Sequence, residues 1–507
     1  MPRPKKDIEK NNKDATTKSG RGRKKELATV TGMKDILPQD QAYWQKVRAV
    51  AQKAADDYGY GLLETPILEM TDLFVRGVGK QTDIVDKEMF AFTDQGGDNL
   101  CLRPEATAAA VRAYIQHGML NQSQPVKFFY AGPMFRHEKP QSGRSRQFYQ
   151  FGFEAIGEIH PALDAQLILL GWSCLNELGL ESTVQLNSIG CPECREKYKQ
   201  ELIKYYKSHS KQLCESCKKR LLKNPMRILD CKEEGCRALR DEAPQILDYL
   251  DEECKKHFMK VLEYLDEINL PYVVNPYVVR GLDYYTRTIF EYWSNDDEVG
   301  KSALGGGGRY DGLVEILGGR EATPAVGLAM GMDRIIAKMR EKNILVPEMK
   351  YDIFVAQLGE PAKKKAMALY ERLRSIEDLH PAQAFYKDNL KSQLEVANKL
   401  KVKFTLILGQ KEIGDGTILL RDMDGGIQEV INFNDIEEEI RTRIKKYRTS
   451  KIVSLASGDE DELSDKKAKR KNREEDGIVA GEEDDQEHEV IEAEEHYDDL
   501  MGGEDSF

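Results

Sequence analysis

Residues 126–135 (VKFFYAGPMF) and 147–156 (QFYQFGFEAI) are two aromatic-rich stretches joined by the charged segment RHEKPQSGRSR. Aromatic side chains suit a pleated, half-buried surface. Two such runs across a polar loop predict two long strands facing each other. The pair commits the surrounding chain to a sheet with an apolar face to cover. It also crowds Arg136, Arg144 and Arg146 at one end. A guanidinium grips phosphate through two parallel hydrogen bonds, and three together suit a triphosphate. The same segment is also readable as a solvated basic hairpin tip. In the second strand Gln150, Gly152 and Glu154 share the face opposite Phe151 and Phe153, which predicts a polar pocket floor.

At 507 residues the chain is longer than one hydrophobic core usually spans, so about two to four domains are expected. Both ends are polar and lack apolar periodicity. Residues 1–29 hold 10 Lys/Arg against 4 Asp/Glu, and residues 456–507 hold 21 Asp/Glu against 6 Lys/Arg. Neither buries enough surface to offset the entropy of ordering, which predicts a disordered basic arm at 1–29 and a disordered acidic tail at 447–507. The net charge of −12 therefore resides in the tail, and the near-neutral body retains room for a basic face toward a polyanion. No run of 18 uncharged apolar residues occurs, so no membrane partner is expected. The first residues carry charge but no apolar signal segment, and the expected compartment is the cytoplasm.

Between the ends, apolar residues Trp44, Val47, Val50 and Ala51 recur at helical spacing. LLETPILEM reads as a strand broken by Pro66, and ALDAQLILLGWSCLNELG reads as a helix ending at Gly179. Strand signals return at 272–280 and 284–293, then the glycine cluster GGGGRYDG, then the strand AVGLAMGM running into the helix DRIIAKMREK. A mixed sheet with many antiparallel neighbours and helices around it follows. After Pro347 the order becomes β–α–β–α–β–β, an α/β layer domain over 348–446.

Several chemistries are excluded by motif. GGGGRYDG is not followed by Lys-Ser or Lys-Thr, and VRGVGKQTD has Phe74 where a P-loop needs its first glycine. No GxGxxG opens a helix after a strand, and no HExxH occurs.

Six of the nine cysteines, Cys191, Cys194, Cys214, Cys217, Cys231 and Cys236, fall within 46 residues. In a reducing compartment such a cluster points to metal more than to disulfides. Cys191, Cys194, Cys214 and Cys217 have the spacing C-x2-C-x19-C-x2-C and are the candidate ligands of one structural Zn2+. Cys231 or Cys236 is a possible further ligand, and reduced thiols in a helical insert are the alternative. Cys101, Cys174 and Cys254 read as ordinary buried residues.

FRHEKPQSGRSRQFYQFGFE resembles motif 2 of the class II aminoacyl-tRNA synthetases, AVGLAMGMDRI resembles motif 3, and LLETPILEMTDLF with Pro66 resembles motif 1. RGLDYYTRTIFE and GGGGRYDGL are similar to the two signatures peculiar to histidyl-tRNA synthetase, and GMKDILP and LRPEATAAAVRAY fit the same family. The resemblance runs from residue 32 to about 446. It implies a catalytic domain (30–346) on a six-stranded antiparallel sheet, an inserted cysteine-rich domain (190–255) and a C-terminal α/β anticodon-binding domain (348–446). It also implies a homodimer, joined through motif 1.

The implied reaction joins L-histidine to ATP as histidyl-adenylate, then to tRNA(His). On the matching positions, Arg136 and Arg280 are the catalytic arginines at the α-phosphate. Arg334 holds the γ-phosphate end, with Arg144 and Glu138 helping, and Mg2+ accompanies the ATP. Glu154, Tyr285 and Tyr310 are expected at the imidazole, Glu105, Thr107 and Gln150 at the α-amino group, with Tyr284 shaping the pocket. Read without the family, the tyrosines are core aromatics, Arg280 pairs with Asp283, and the glycine run is a tight turn. A regulatory relative that senses histidine, or an RNA-binding scaffold on the same fold, are the rival functions. Arg136, Arg280, Arg334 and a complete 350–446 segment argue against both.

Overall fold

The computed structural model describes residues 27–80, 82–140, 143–296, 303–346 and 351–457, of which 451–457 as backbone alone. The expected arm up to residue 26 and the expected tail from 458 lie outside the described residues. The chain parts into two compact units, Met1–Glu348 and Met349–Phe507.

The first unit has strands β1 (Gly61–Leu62), β2 (Leu68–Met70), β3 (Phe90–Thr93), β4 (Asn99–Leu102), β5 (Val126–Phe135), β6 (Gln147–Ile156), β7 (Ser182–Ser188), β8 (Tyr272–Val274), β9 (Thr286–Ser294), β10 (Gly305–Arg309) and β11 (Ala325–Gly331). The two aromatic runs form β5 and β6, paired antiparallel from Val126 opposite Ile156 to Phe135 opposite Gln147. They sit inside a sheet of order β1-β5-β6-β11-β10-β9-β7-β8, while β2-β4-β3 make a small separate sheet.

The main sheet is therefore eight-stranded and mixed, not six-stranded and antiparallel. Its six inner strands, β5 to β7, are antiparallel throughout. The added edges, β1 on β5 and β8 on β7, are parallel. They span only two and three residues, too short to show alternation, so tertiary packing rather than local pattern makes them strands. The stretch expected as a strand over 272–280 stops at Val274, just before Asn275-Pro276. Proline offers no N–H to continue a ladder. The remainder loops back and delivers Arg280. The glycine run is not a turn: it is β10, a central strand.

Helices cover one sheet face. Gln41–Tyr58 buries Trp44, Val47, Val50, Ala51 and Ala55 and stops where Gly59 takes φ 70°, the left-handed cap that glycine supplies without steric cost. With Pro161–Glu177, Glu252–Glu267 and Met332–Glu341 it encloses Phe153, Val184, Phe290 and Val326. Each such large side chain contributes about 1.5–3 kcal/mol on burial. Within this layer Arg309, with no exposed side-chain surface, binds Asp164 through Nε at 2.9 Å and Asp311 at 2.9 Å.

The cysteine-rich segment forms the helices Pro192–Ser208, Glu215–Lys223 and Glu234–Asp241. It packs within the first unit. Its Tyr198, Leu202 and Cys217 belong to the same apolar cluster as Tyr284, Tyr285 and Tyr310.

The second unit has β12 (Ile353–Gln357), β13 (Pro381–Gln383), β14 (Phe404–Leu408), β15 (Thr417–Asp422) and β16 (Gln428–Asn432), in the order β13-β12-β14-β15-β16. The first three are parallel, linked by the crossover helices Glu360–Arg374 and Leu390–Leu400, and the rest antiparallel. Apolar clusters line both faces. Its last helix, Ile436–Ser457, runs past Lys446.

Candidate active site

The strand alternation of β6 turns Gln150, Gly152 and Glu154 to one side, as the sequence predicts. Glu154, 1% exposed, is the centre of a polar cage. Tyr310 donates to its Oε2 at 2.6 Å, Thr107 donates to its Oε1 at 2.7 Å, and Tyr130 donates to Oε1 at 3.3 Å. Burial pushes the Glu154 carboxyl up to about 8, against the pull of the Tyr310 and Thr107 hydroxyls. The cage requires a bare neighbour on β11. Gly327 lies directly opposite Glu154 in the ladder, so no side chain occupies the space above the carboxylate.

Glu105 is a second buried carboxylate. It precedes the helix Thr107–Gln116 and accepts the first free N–H groups, those of Thr107 and Ala108, each at 2.8 Å. Such N–H groups are otherwise orphaned at a helix start. Burial raises its pKa, and these N–H groups oppose the rise. Tyr284 donates to Glu105 at 3.4 Å. The rings of Tyr284 and Tyr285 lie 4.8 Å apart, and those of Tyr284 and Tyr310 5.7 Å apart. A small ring entering here meets both aromatic faces and buried carboxylates.

The rim is cationic. Arg280 lies 5.6 Å over the Tyr285 ring and donates to Glu291 at 2.6 Å; Glu291 also accepts from Trp293 at 3.0 Å. Arg280 therefore pairs with Glu291 and not with Asp283, which accepts instead from Asn224. Gly306 of β10 leaves the room: a methyl group there would fall 2.9 Å from an Arg280 terminal nitrogen. Arg136 lies 5.2 Å over Phe148 and is aimed by its Nε hydrogen bond to the Pro104 carbonyl at 3.0 Å. Its charge is felt at Glu105. Arg334, at the start of the helix after β11, donates to the carbonyls of Gly143 and Ala303. Burial disfavours its cationic form, and the neighbouring charge of Arg144 adds to this, as does that of Arg136, while Glu138 opposes. An anion at this place relieves that repulsion. Arg144 pairs with Glu138 at 3.1 Å.

Arg146 apart, the residues singled out for substrate therefore lie around one sheet face. Glu105, Thr107, Glu154, Tyr284, Tyr285 and Tyr310 form the interior, and Arg136, Glu138, Arg144, Arg280 and Arg334 form the rim. Gln150 stands between, opposite Gly331. Among the described residues, Gln150 Oε1 and Arg280 Nε are buried polar atoms without a hydrogen-bond partner, a condition native proteins keep for few groups. Arg146 is used differently. Its backbone and side chain hold the segment Thr31–Gly32 and the Glu138 carbonyl, so it belongs to the hairpin's framework. Sequence reasoning missed Tyr130 and Glu291. Tyr130 faces Gly152 across β5 and β6, which the facing-strand reading contains. Glu291 had no local signal, because its partner Arg280 arrives on a loop.

The four cysteines assigned to one metal do not converge. Cys214 and Cys217 group with Cys231 and Cys236, whereas Cys191 and Cys194 group with Asp251 and Cys254. Sequence spacing cannot tell which pairs meet, since the helices between them set the distances. Cys254 is thus not an isolated buried thiol. In the second unit Lys403 is engaged by Asp422 and Asp424 at 2.8 and 2.9 Å. No described helix is long and apolar enough to cross a membrane.

A family model described as histidyl-tRNA synthetase matches residues 32–335, and one described as an anticodon binding domain matches residues 352–443. A histidine–tRNA ligase of Pelotomaculum thermopropionicum is 43% identical over 421 residues, 83% of this chain and 98% of its own. One of Dehalococcoides mccartyi is 45% identical over 415 residues, 82% and 99% of the two chains. A crystal structure of apo S. aureus histidyl-tRNA synthetase, 34% identical, superimposes with a TM-score of 0.68 over 82% of this chain and 100% of that one.

Proposed function

The chain belongs to the histidyl-tRNA synthetase family, and we propose that Glu154, Tyr285 and Tyr310 hold the histidine imidazole while Arg136, Arg280 and Arg334 hold ATP beside it. The protein is a histidine–tRNA ligase: it charges tRNA with histidine, at the cost of ATP, through histidyl-adenylate.

One observation carries the assignment of roles: a carboxylate buried with three hydroxyl partners lies on the same sheet face as a ring of arginines. A neutral imidazole donates at one nitrogen and accepts at the other. Glu154 takes the donated hydrogen, and the Tyr285 ring and the Tyr310 hydroxyl border the rest. Glu105, Thr107 and Gln150 receive the α-ammonium; Glu105 Oε1, which accepts from the Ala108 N–H, keeps a further lone pair for it. An apolar amino acid would leave these buried groups unpaired, so discrimination is strong.

In the first step the histidine carboxylate attacks the α-phosphorus in line, and pyrophosphate leaves. At pH 7 the carboxylate needs no general base. The protein supplies position and positive charge on the transferring group. Arg136 spans the carboxylate and the α-phosphate, Arg280 lies on the other side of that phosphate, and Arg334 with Arg144 holds the far end of the triphosphate. Mg2+ accompanying ATP would supply neutralisation of phosphate charge, and Glu138, whose charge reaches Arg334, would be the carboxylate to hold it. The second unit reads the anticodon of tRNA(His), where unpaired bases are recognised by stacking and edge hydrogen bonds.

A homodimer fits the surface next to β1 and β2. Leu62, Ile67, Leu68, Met70 and Phe92, on or beside β1, β2 and β3, are all exposed, and exposed apolar patches mark interaction surfaces. Nine cysteines without a disulfide suit the cytoplasm. The test is histidine-dependent exchange of pyrophosphate into ATP, with the other nineteen amino acids as controls. Exchange with histidine alone is expected; exchange with none, or equally with several, would refute the assignment.

A further inference from the structure

Three helices in and beside the cysteine-rich segment begin the same way. Cys191 caps Pro192–Ser208, its Sγ accepting from the Cys194 N–H at 3.5 Å. Cys214 caps Glu215–Lys223, accepting from Cys217 at 3.4 Å. Asp251 caps Glu252–Glu267, accepting from Cys254 at 2.7 Å. An N-cap and the third residue after it project to one side of the helix start, so CPEC, CESC and DEEC each present two donor atoms together.

These starts, with Cys231 and Cys236, build two four-atom clusters. In each, one ligand atom from every residue lies within 4.8 Å of all the others. The Cys214 and Cys231 sulfurs are 3.9 Å apart, those of Cys191 and Cys194 3.5 Å apart, and Asp251 Oδ2 lies 3.2 and 3.1 Å from the latter two. Tetrahedral zinc, with Zn–S of about 2.3 Å and Zn–O of about 2.0–2.2 Å, sets such ligand atoms about 3.5–3.8 Å from one another. The outer partners also match. The Cys214 N–H points at the Cys236 sulfur at 3.3 Å, and the Asp251 N–H at the Cys194 sulfur at 3.1 Å. Backbone donors of this kind stabilise thiolate ligands. A cubane iron–sulfur cluster interposes its own iron and sulfide and spreads the thiolates further.

We propose that the chain holds two structural zinc ions, one on Cys214, Cys217, Cys231 and Cys236, the other on Cys191, Cys194, Asp251 and Cys254. The first closes the insert on itself. The second fastens the insert to the helix Glu252–Glu267, which packs in the main core. It also stands behind the histidine pocket. Arg195, next to Cys194, donates to the carbonyls of Asp283 at 3.2 Å and Tyr285 at 3.0 Å. Arg287, two residues beyond Tyr285, reaches the Cys254 sulfur at 3.8 Å. The second ion thereby braces the backbone that carries Tyr284 and Tyr285.

The test is elemental analysis of the full chain, purified without added metal or chelator. About two zinc per chain are expected, falling to about one in Cys217→Ser and in Cys194→Ser and below about 0.2 when both are changed. Should a variant fail to fold, cobalt exchanged into the unaltered protein gives the intense visible bands of tetrahedral thiolate coordination for two ions per chain. One zinc or fewer in the unaltered chain, iron in place of zinc, or cobalt taken up without those bands overturns the proposal.

Discussion

Gly327 faces Glu154 so closely that a methyl group on it would lie 1.6 Å from the carboxylate Oε2. The Gly327→Ala variant therefore pushes the carboxylate out of its cage or fills the cavity that imidazole needs. The expected result is a KM for histidine raised at least about tenfold, or 1.4 kcal/mol. Gly331→Ala on the same strand, where the nearest atom is 3.6 Å away, keeps a near-normal KM. Steady-state pyrophosphate exchange on both variants decides it, and equal KM values would remove Gly327 from the account.

Glu154 also sets a pH dependence. Its carboxyl is raised by burial from 4.5 to about 8, so its unfolded form titrates well below its folded form. A raised folded pKa contributes stability that is complete below about 4.5 and is lost as pH climbs toward 8. Glu154→Gln has no such loss. The melting temperature of the variant minus that of the parent should grow between pH 5 and 8 and level off above. A difference independent of pH contradicts the burial argument.

Arg280→Ala should lower histidyl-adenylate formation at least about a hundredfold, near 2.7 kcal/mol of barrier, with folding retained. Arg280→Lys should not recover it, since a point charge cannot both lie on Tyr285 and meet Glu291 as a planar fork does. Single-turnover adenylate formation reads the step directly; a loss below tenfold would take Arg280 out of the chemistry.

Arg309 and Asp164 are both fully buried. Among the described residues, Arg309→Met leaves the Asp164 carboxylate with His257 alone, at 3.3 Å, and should cost about 3–5 kcal/mol. Changing Asp164→Leu as well should return part of that loss. Urea midpoints of the two variants test the pair, and a single-variant cost under 1 kcal/mol would refute it.

The sequence made the β5–β6 pair and the Glu154 face legible because alternation at period two is a local property. Arg136 was legible from the crowding of guanidiniums at the hairpin end, whereas Arg280 and Arg334 were legible only through motif resemblance, for nothing local says that a loop, a hairpin and a helix start converge. Strand signal was read at both edges, over LLETPILEM and over 272–280, but the two- and three-residue lengths of β1 and β8 and their parallel pairing were not legible. The cysteines show the same limit. Spacing announced a metal-like cluster, but the partition into two groups depends on how four helix starts pack, and Asp251 with Cys254 arrives from a fourth, distant helix. Glycine was the opposite case: GGGGR looked like a bend, yet close strand approach, not turning, is what it serves.

The insert's Tyr198 and Leu202 share one apolar cluster with Tyr284, Tyr285 and Tyr310. It is consequently no detachable appendage: excising it, or grafting it from a distant relative, would strip the back wall from the amino-acid cavity. Substitutions on its solvent face are expected to spare histidine binding, whereas those on its inward face are expected to weaken it.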